Sequence, residues 1–518
     1  MPLPDIDFRK IRLHEGGQDR AFEELCCQLA SSQPRPADAV FTRKGRGRDG
    51  GVECFTSFAD GSETGWQVKF SWAVDNNLIK QLDTSLDAAL KNHPGLNRCI
   101  VCIPFDPADP RAADVTTQLD RWNKWVKTRE QKALAGGRTL KIERWDASAL
   151  KGLLTADDAL AGRILFWFDD QILTPAWFAA RLEKSIVELG HRYSAATNID
   201  LLIRRAITAV TGDPDMRRRL SEWAAEVDRA RVAAKDDVKS NAYGACETLR
   251  AKLDAAAVTN GDVPVAALTT EADVALSFVL RELGAYGPYS EPRRRVSNLA
   301  DALTSIVRAL RRPEWTHINS RRLLLTGEAG RGKSHLLADA CAQQIAKDRP
   351  AVLLLGGHFV NGEIWGQIRD ELDLPTHIRA KDLLGALDSA GFAAGCRTLL
   401  VIDALNERHG QDIWPDRLAG VLHDAEAFPW VSVVVSCRNT YLDLVIPSSL
   451  DERMLPRLEH EGFGTLEAEA YLEARGIDAP AGPYPIEEFR NPLFLKTCCD
   501  GLEAGGLRAP IKTRACTA

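Results

Sequence analysis

The octet Gly327-Glu-Ala-Gly330-Arg-Gly332-Lys333-Ser334 follows the apolar run Leu323-Leu324-Leu325 directly and precedes the helix-forming stretch His335-Leu336-Leu337-Ala338. An apolar strand that feeds a glycine-rich turn and then a helix restricts the fold severely. The strand belongs in a parallel sheet covered on both faces, and the helix must pack back onto it. The turn also carries chemistry. Backbone N–H donors at close range, a helix N-terminus aimed at negative charge and one lysine are what a chain of phosphates requires. Gly327, Gly330, Gly332, Lys333 and Ser334 are therefore candidate nucleotide-binding residues.

The 518 residues suffice for about three domains, each burying its own core. A composition 45% hydrophobic and 27% charged is that of a globular protein rather than a disordered one. The net charge of −6 excludes a wholesale polycation, so contact with nucleic acid has to rest on local patches. No stretch reaches the roughly 18 uninterrupted apolar residues of a membrane span, and the opening MPLPDIDFRK has no apolar signal core. A cytosolic protein without a membrane partner is expected. The twelve cysteines are scattered, and the CxxC of Cys99 and Cys102 lies inside CIVCIPF, which reads as a buried strand of reduced thiols rather than a zinc site.

Along the chain, a multidomain α/β organisation emerges. Residues 1–170 alternate between helices, marked by Phe22, Leu25, Cys26 and Leu29 and by Leu78, Leu82, Leu86 and Leu90, and short strands at 51–55, 65–70, 98–104 and 140–144. Residues 171–299 read as a charged helical connector, with basic clusters at Arg217-Arg218-Arg219 and Arg293-Arg294-Arg295 that suit solvated helix faces or a nucleic-acid or partner surface. Strand–helix alternation resumes over 300–447, with buried parallel strands at 323–326, 351–355, 398–402 and 431–435. Residues 448–518 begin a helical subdomain.

The apolar strand ending in Asp403 places a carboxylate where a sheet rim would hold Mg²⁺ through water, with Ser334 as a direct ligand; a cap for the next helix is the alternative role for Asp403. Glu407, four positions on, suits orientation of an attacking water. The next apolar strand ends at Arg438, which suits either contact with the outermost phosphate or a structural ion pair. No NKxD-type guanine reader is present, which tilts the base towards adenine. His14, His335, His358 and His409 have no matching partners and receive no role.

A second constellation lies near the N-terminus: Gly45-Arg-Gly-Arg-Asp49-Gly-Gly-Val-Glu53, then Trp66-Gln67-Val68-Lys69-Phe70. On a strand, Trp66, Val68 and Phe70 face one side while Gln67 and Lys69 share the other. Asp49, Glu53 and the Gln67 carbonyl would offer oxygens to one hard divalent cation, and Lys69 would hold a water or offset phosphorane charge. Either Asp49 or Glu53 suits the principal ligand. Arg43, Lys44, Arg46 and Arg48 stand ready for phosphates.

Two family resemblances follow from these motifs. GEAGRGKS, TLLVIDALNE, VVVSCRNTY and RNPLFL, over about residues 300–500, resemble the STAND class of P-loop ATPases, which includes NACHT-type and antiviral Avs-type switches. That resemblance implies ATP and Mg²⁺ at 327–334 and Asp403, Arg438 as first sensor, Pro492 near the adenine, and self-association on activation. Asn406 stands where many relatives carry an acid, which argues against brisk hydrolysis. DGG followed by Gln-x-Lys resembles the Mrr-like branch of the restriction-endonuclease fold. It implies a Mg²⁺-dependent nuclease acting on double-stranded DNA, with Glu23 as the helical acid. Relatives usually continue into a helical-repeat sensor for a viral protein trigger, and a truncated relative is expected here. The rival expectations are an N-terminal domain that is a non-catalytic DNA- or partner-binding module, and an NTP-driven DNA translocase.

Overall fold

The structure is a computed structural model and describes residues 5–44, 50–109, 116–194, 202–258, 262–477 and 486–504. Asp49, with Arg46 and Arg48, lies outside the described residues. The chain parts into two compact units, Met1–Ile172 with Lys381–Ser389, and Leu173–Ala380 with Ala390–Ala518.

In the first unit five strands form one mixed sheet in sequence order: β1 (Val40–Arg43), β2 (Cys54–Ser57), β3 (Glu63–Val68), β4 (Leu96–Cys102) and β5 (Lys141–Trp145). The first three are antiparallel, and β3, β4 and β5 run parallel. Alternation along β4 decides which helix covers which face. Cys99 and Val101 join Leu78, Leu82 and Leu86 of the helix Asn76–Asn92 and Trp122 and Trp125 of the helix Gln118–Ala135. On the other face Cys102 meets Cys26, and Cys27 meets Cys54, as the helix Gln18–Ser31 packs down. The CxxC is thus two buried free thiols on opposite faces of a core strand. The DGG turn needs its last glycine for space: Gly51 has φ +93°, and a Cβ there would lie 2.1 Å from the Ser85 carbonyl oxygen.

In the second unit five wholly parallel strands take the order β10-β6-β9-β8-β7: β6 (Arg322–Thr326), β7 (Ala351–Leu355), β8 (Thr398–Asp403), β9 (Val431–Ser436) and β10 (Arg457–Glu459). β7, β8 and β9 are buried along their whole length, as apolar runs between two helical layers must be. The helices Pro175–Leu189 and Leu202–Ala209 contribute Leu182, Leu189, Ala206 and Ile207 to the core that holds Leu323, Leu353 and Val401. By contrast, the helices from Pro214 to Leu310 build a core of their own around Leu220, Trp223, Leu249, Leu253 and Leu303. The fold class is therefore mixed α/β with a large all-helical element, as the alternation of patterns indicates.

The basic clusters are largely consumed within that helical element. Arg218 and Arg219 pair with Asp215 and Glu222, Arg293 donates to the Leu283 and Tyr286 carbonyls, and Arg295 pairs with Asp237. Among the described residues no helix is long and apolar enough to cross a membrane.

Glu24 offers a test of the first unit. It is buried beside Arg43, and burial pushes its carboxyl up to about 7 against that opposing charge. A carboxyl raised in the folded state stabilises fully below its unfolded value near 4.5, and that stability is lost as pH climbs through 7. Glu24→Gln should therefore become more stable relative to the parent on going from pH 5 to pH 8, by on the order of 2–3 kcal/mol. Melting curves at the two pH values check this; a difference that does not change with pH contradicts it.

Candidate functional site

The strand order places β6 at a switch point. Its neighbour β10 arrives late in the chain on one side, and β9 inserts on the other between β6 and β8. In such sheets the C-terminal strand ends open a crevice at this point. Gly327 leaves β6 with φ +149°, and a Cβ there would lie 2.6 Å from the His460 carbonyl oxygen, whose own N–H is bonded to Thr326 O on the loop strand. Gly330 and Gly332 take φ +77° and +91°. The helix Lys333–Ala346 starts with no side-chain cap, the arrangement in which an anion suits a helix N-terminus. Lys333 Nζ folds back to donate to the carbonyls of Gly327 (2.7 Å) and Glu328 (2.8 Å). Burial, with Arg438 in support and Asp403 in opposition, lowers its ammonium below the ordinary lysine range.

Asp403 ends β8 almost wholly buried. The Ser436 hydroxyl donates to Oδ1 at 2.6 Å, while Oδ2 has no hydrogen-bond partner among the described residues. Burial raises the carboxyl above its usual range, and the Ser334 and Ser436 hydroxyls and Arg192 oppose that rise. A buried carboxylate oxygen without a donor costs about 1–3 kcal/mol or more. Together with the Ser334 hydroxyl it forms a hard oxygen set that fits Mg²⁺. Ser436 also accepts the Ala404 N–H, so β8 and β9 are tied where the carboxylate emerges.

Glu407 and Arg438 reach the same crevice. A cavity of about 290 Å³ is lined by Lys333, Ser334, Asp403, Glu407, Arg438 and Pro492 along with others. Glu407 Oε1 accepts from Arg192 at 2.9 Å. Asn406 Oδ1 accepts the Arg438 backbone N–H at 3.0 Å, so the amide at this position joins the β8 loop to the end of β9. Pro492 is the first residue of the helix Pro492–Ala504, where a missing N–H costs nothing, and it lies against Gly332. Asn491 Oδ1 caps that helix, whose Leu493 N–H donates to Gly330 O.

Several lining residues escaped the sequence reading, among them His460, Arg192, His191, Lys496 and Tyr471. His460 is buried and pushed down to about 4, by burial first and then by Lys333 and Arg331. Arg192 and His191 arrive from the end of the helix Pro175–Leu189, Lys496 from the last described helix, and Tyr471 from the helix Thr465–Ala474. No local motif marks them; they are brought in by tertiary contacts. His335, given no role, stacks at 5.0 Å on Tyr193 and borders the cavity. His358 hydrogen-bonds Glu371 and pairs with Glu188.

In the first unit Glu53 precedes β2 and Gln67 lies on the paired strand β3, and alternation puts Lys69 on the same side as Gln67. Glu53 Oε2 accepts the Val68 N–H at 2.9 Å, and Gln67 Nε2 donates to Gly51 O at 3.3 Å. Gln67 Oε1 has no hydrogen-bond partner among the described residues. The Cys99 thiol is raised to about 12 chiefly by burial, with the Glu53 charge adding to the rise and the Lys69 charge opposing it. The oxygens of Glu53 and Gln67 suit a hard cation. They are also deeply enclosed, at 6% and 0% exposure. Glu23 is not among them: it pairs with Arg20 on the solvent side of its helix, and its neighbour Glu24 takes the buried position.

No family model and no curated protein matches the chain. Among solved structures it is similar to a cryo-EM reconstruction of the closed state of Hsp104 with ATPγS and FITC casein, at 10% identity, over 87% of this chain and 84% of that one, with a TM-score of 0.25. At that score the likeness decides nothing about fold or activity.

The glycine geometry gives a sharp expectation for the loop. Gly327→Ala must displace the His460 backbone or distort the turn, at about 1–3 kcal/mol. Affinity for a fluorescent ATP analogue should fall about tenfold or more, and an unaltered affinity would show that the loop does not hold phosphate in this conformation.

Proposed function

We propose that the second unit is an ATP- and Mg²⁺-binding switch and that the first unit is a metal-dependent DNA endonuclease under its control. The observation that carries the switch is the buried, donorless oxygen of Asp403 beside Ser334 and Lys333, at the C-terminal rim of a parallel sheet. When bound, Mg²⁺ would draw charge from the outer phosphates. Ser334 and Asp403 would hold it, and Lys333 would exchange two backbone carbonyls for phosphate oxygens. Arg438 would mark the triphosphate, and Glu407 would orient water. Asn406, engaged with the Arg438 N–H, supplies no second acid, which favours slow turnover and a switch over a translocase.

For the first unit, the oxygens of Glu53 and Gln67, with Lys69 on the Gln67 side of the strand, support metal-assisted phosphodiester hydrolysis, with Asp49 as a further candidate ligand. The resemblance to Mrr-like nucleases adds double-stranded DNA as substrate. The resemblance to STAND switches adds antiviral defence, ATP-driven self-association and a viral protein trigger. One observation favours a second reading: with Glu53 and Gln67 enclosed, the unit also suits a binding module without catalysis.

Plasmid degradation with Mg²⁺ and ATP separates the two. Lys69→Ala should abolish cleavage and leave ATP binding intact, whereas Lys333→Ala should lower ATP affinity at least tenfold. Cleavage that survives Lys69→Ala removes Lys69 from the chemistry, and a parent with none at all supports the module; equal ATP affinity in Lys333→Ala removes the switch.

A further inference from the structure

Arg192 stands at the end of the short turn Gly190–Arg192 that closes the helix Pro175–Leu189, far from the phosphate loop in sequence. Its Nη1 donates to Glu407 Oε1 at 2.9 Å, in a pair 35% and 30% exposed. The turn is tethered from the opposite wall by Lys496, whose Nζ donates to the His191 carbonyl at 2.6 Å. On the other side, Glu407 is held in a tight loop between two non-glycine residues of positive φ, Ala404 (+57°) and Arg408 (+51°), with its N–H bonded to Ala404 O. A side-chain-bearing residue adopts such a conformation where the surroundings overdetermine the backbone. The Arg192 charge also reaches Asp403, where it offsets the repulsion that Glu407 exerts.

We propose that Arg192 is a positioning residue that restrains nucleotide hydrolysis by occupying the carboxylate of Glu407. The inference rests on the ATP reading of this site. In hydrolysis, water's oxygen bonds to the γ-phosphorus and the bond to the β-phosphate oxygen breaks; water's proton passes to Glu407 and then to the released phosphate. A carboxylate oxygen committed to a guanidinium is not presented to the water. Arg192 and Glu407 line the same cavity as Lys333 and Asp403.

The test uses the full chain, Mg²⁺–ATP, steady-state phosphate release and binding of a fluorescent ATP analogue. Arg192→Ala should raise kcat about tenfold, with KM and analogue affinity changed less than about threefold. Arg192→Lys should return most of the restraint. The double variant Arg192→Ala/Glu407→Gln should show none of the rise, which a purely structural role for Arg192 would not require. A kcat in Arg192→Ala that stays level or falls while the analogue still binds overturns the inference and leaves the ATP reading standing. Loss of analogue binding in Arg192→Ala and Arg192→Lys alike makes Arg192 a ligand contact, which also overturns it. A parent that binds no analogue sinks the ATP reading, and the inference with it.

Discussion

An uncompensated carboxylate oxygen at the end of β8 is the constraint around which the second unit is organised. Asp403 is driven into an apolar strand end, bonded through Oδ1 to the Ser436 hydroxyl, and left with Oδ2 lacking a hydrogen-bond partner among the described residues, while the Ser334 hydroxyl and the Lys333 charge act on the same carboxyl. Burial makes that arrangement unfavourable unless a cation completes it. Lys333 is in the same condition with the opposite sign: it is half-buried, lowered by burial, and satisfied by two backbone carbonyls. A sheet that brings β6, β8 and β9 to one rim concentrates these opposed charges in a single cavity. The glycines of the loop then let backbone approach where side chains would collide.

Much of this was legible in the chain because it is written locally. The four apolar runs of the parallel sheet announce themselves by composition, and the strands at β7, β8 and β9 start where their patterns start. Two strands had no such signature. β10 is Arg457-Leu458-Glu459, polar at both ends and paired along only one side, and β1 is an edge strand with no buried residue. The helical acid illustrates the limit of motif reading. The helix Gln18–Ser31 is buried nearly all round, so one residue of phase decides everything, and the phase exposes Glu23 and buries Glu24.

The residues that sequence reasoning missed share a cause. Arg192, His460, Tyr471 and Lys496 come from four separate segments and meet only after the sheet and its helical cover have formed. Neighbours in sequence give no sign of it. Asn406 is the converse case: a departure from a family pattern that acquires a structural meaning, because its amide oxygen is the acceptor for the Arg438 N–H. In the first unit the shared side of Gln67 and Lys69 was legible, since alternation alone puts them on one side of a strand. The enclosure of Glu53 and Gln67 was not, because it depends on the turn at Gly51 riding against the helix Asn76–Asn92.

The central claim, that Asp403 is built to complete a metal–nucleotide site, is tested most directly by calorimetric titration of ATP into the parent and Asp403→Asn, each with Mg²⁺ and with a chelator. The account predicts that chelation weakens binding to the parent about tenfold or more and leaves the variant nearly indifferent to the metal, since the amide offers no charge to hold it. Equal dependence on Mg²⁺ in both proteins would contradict it.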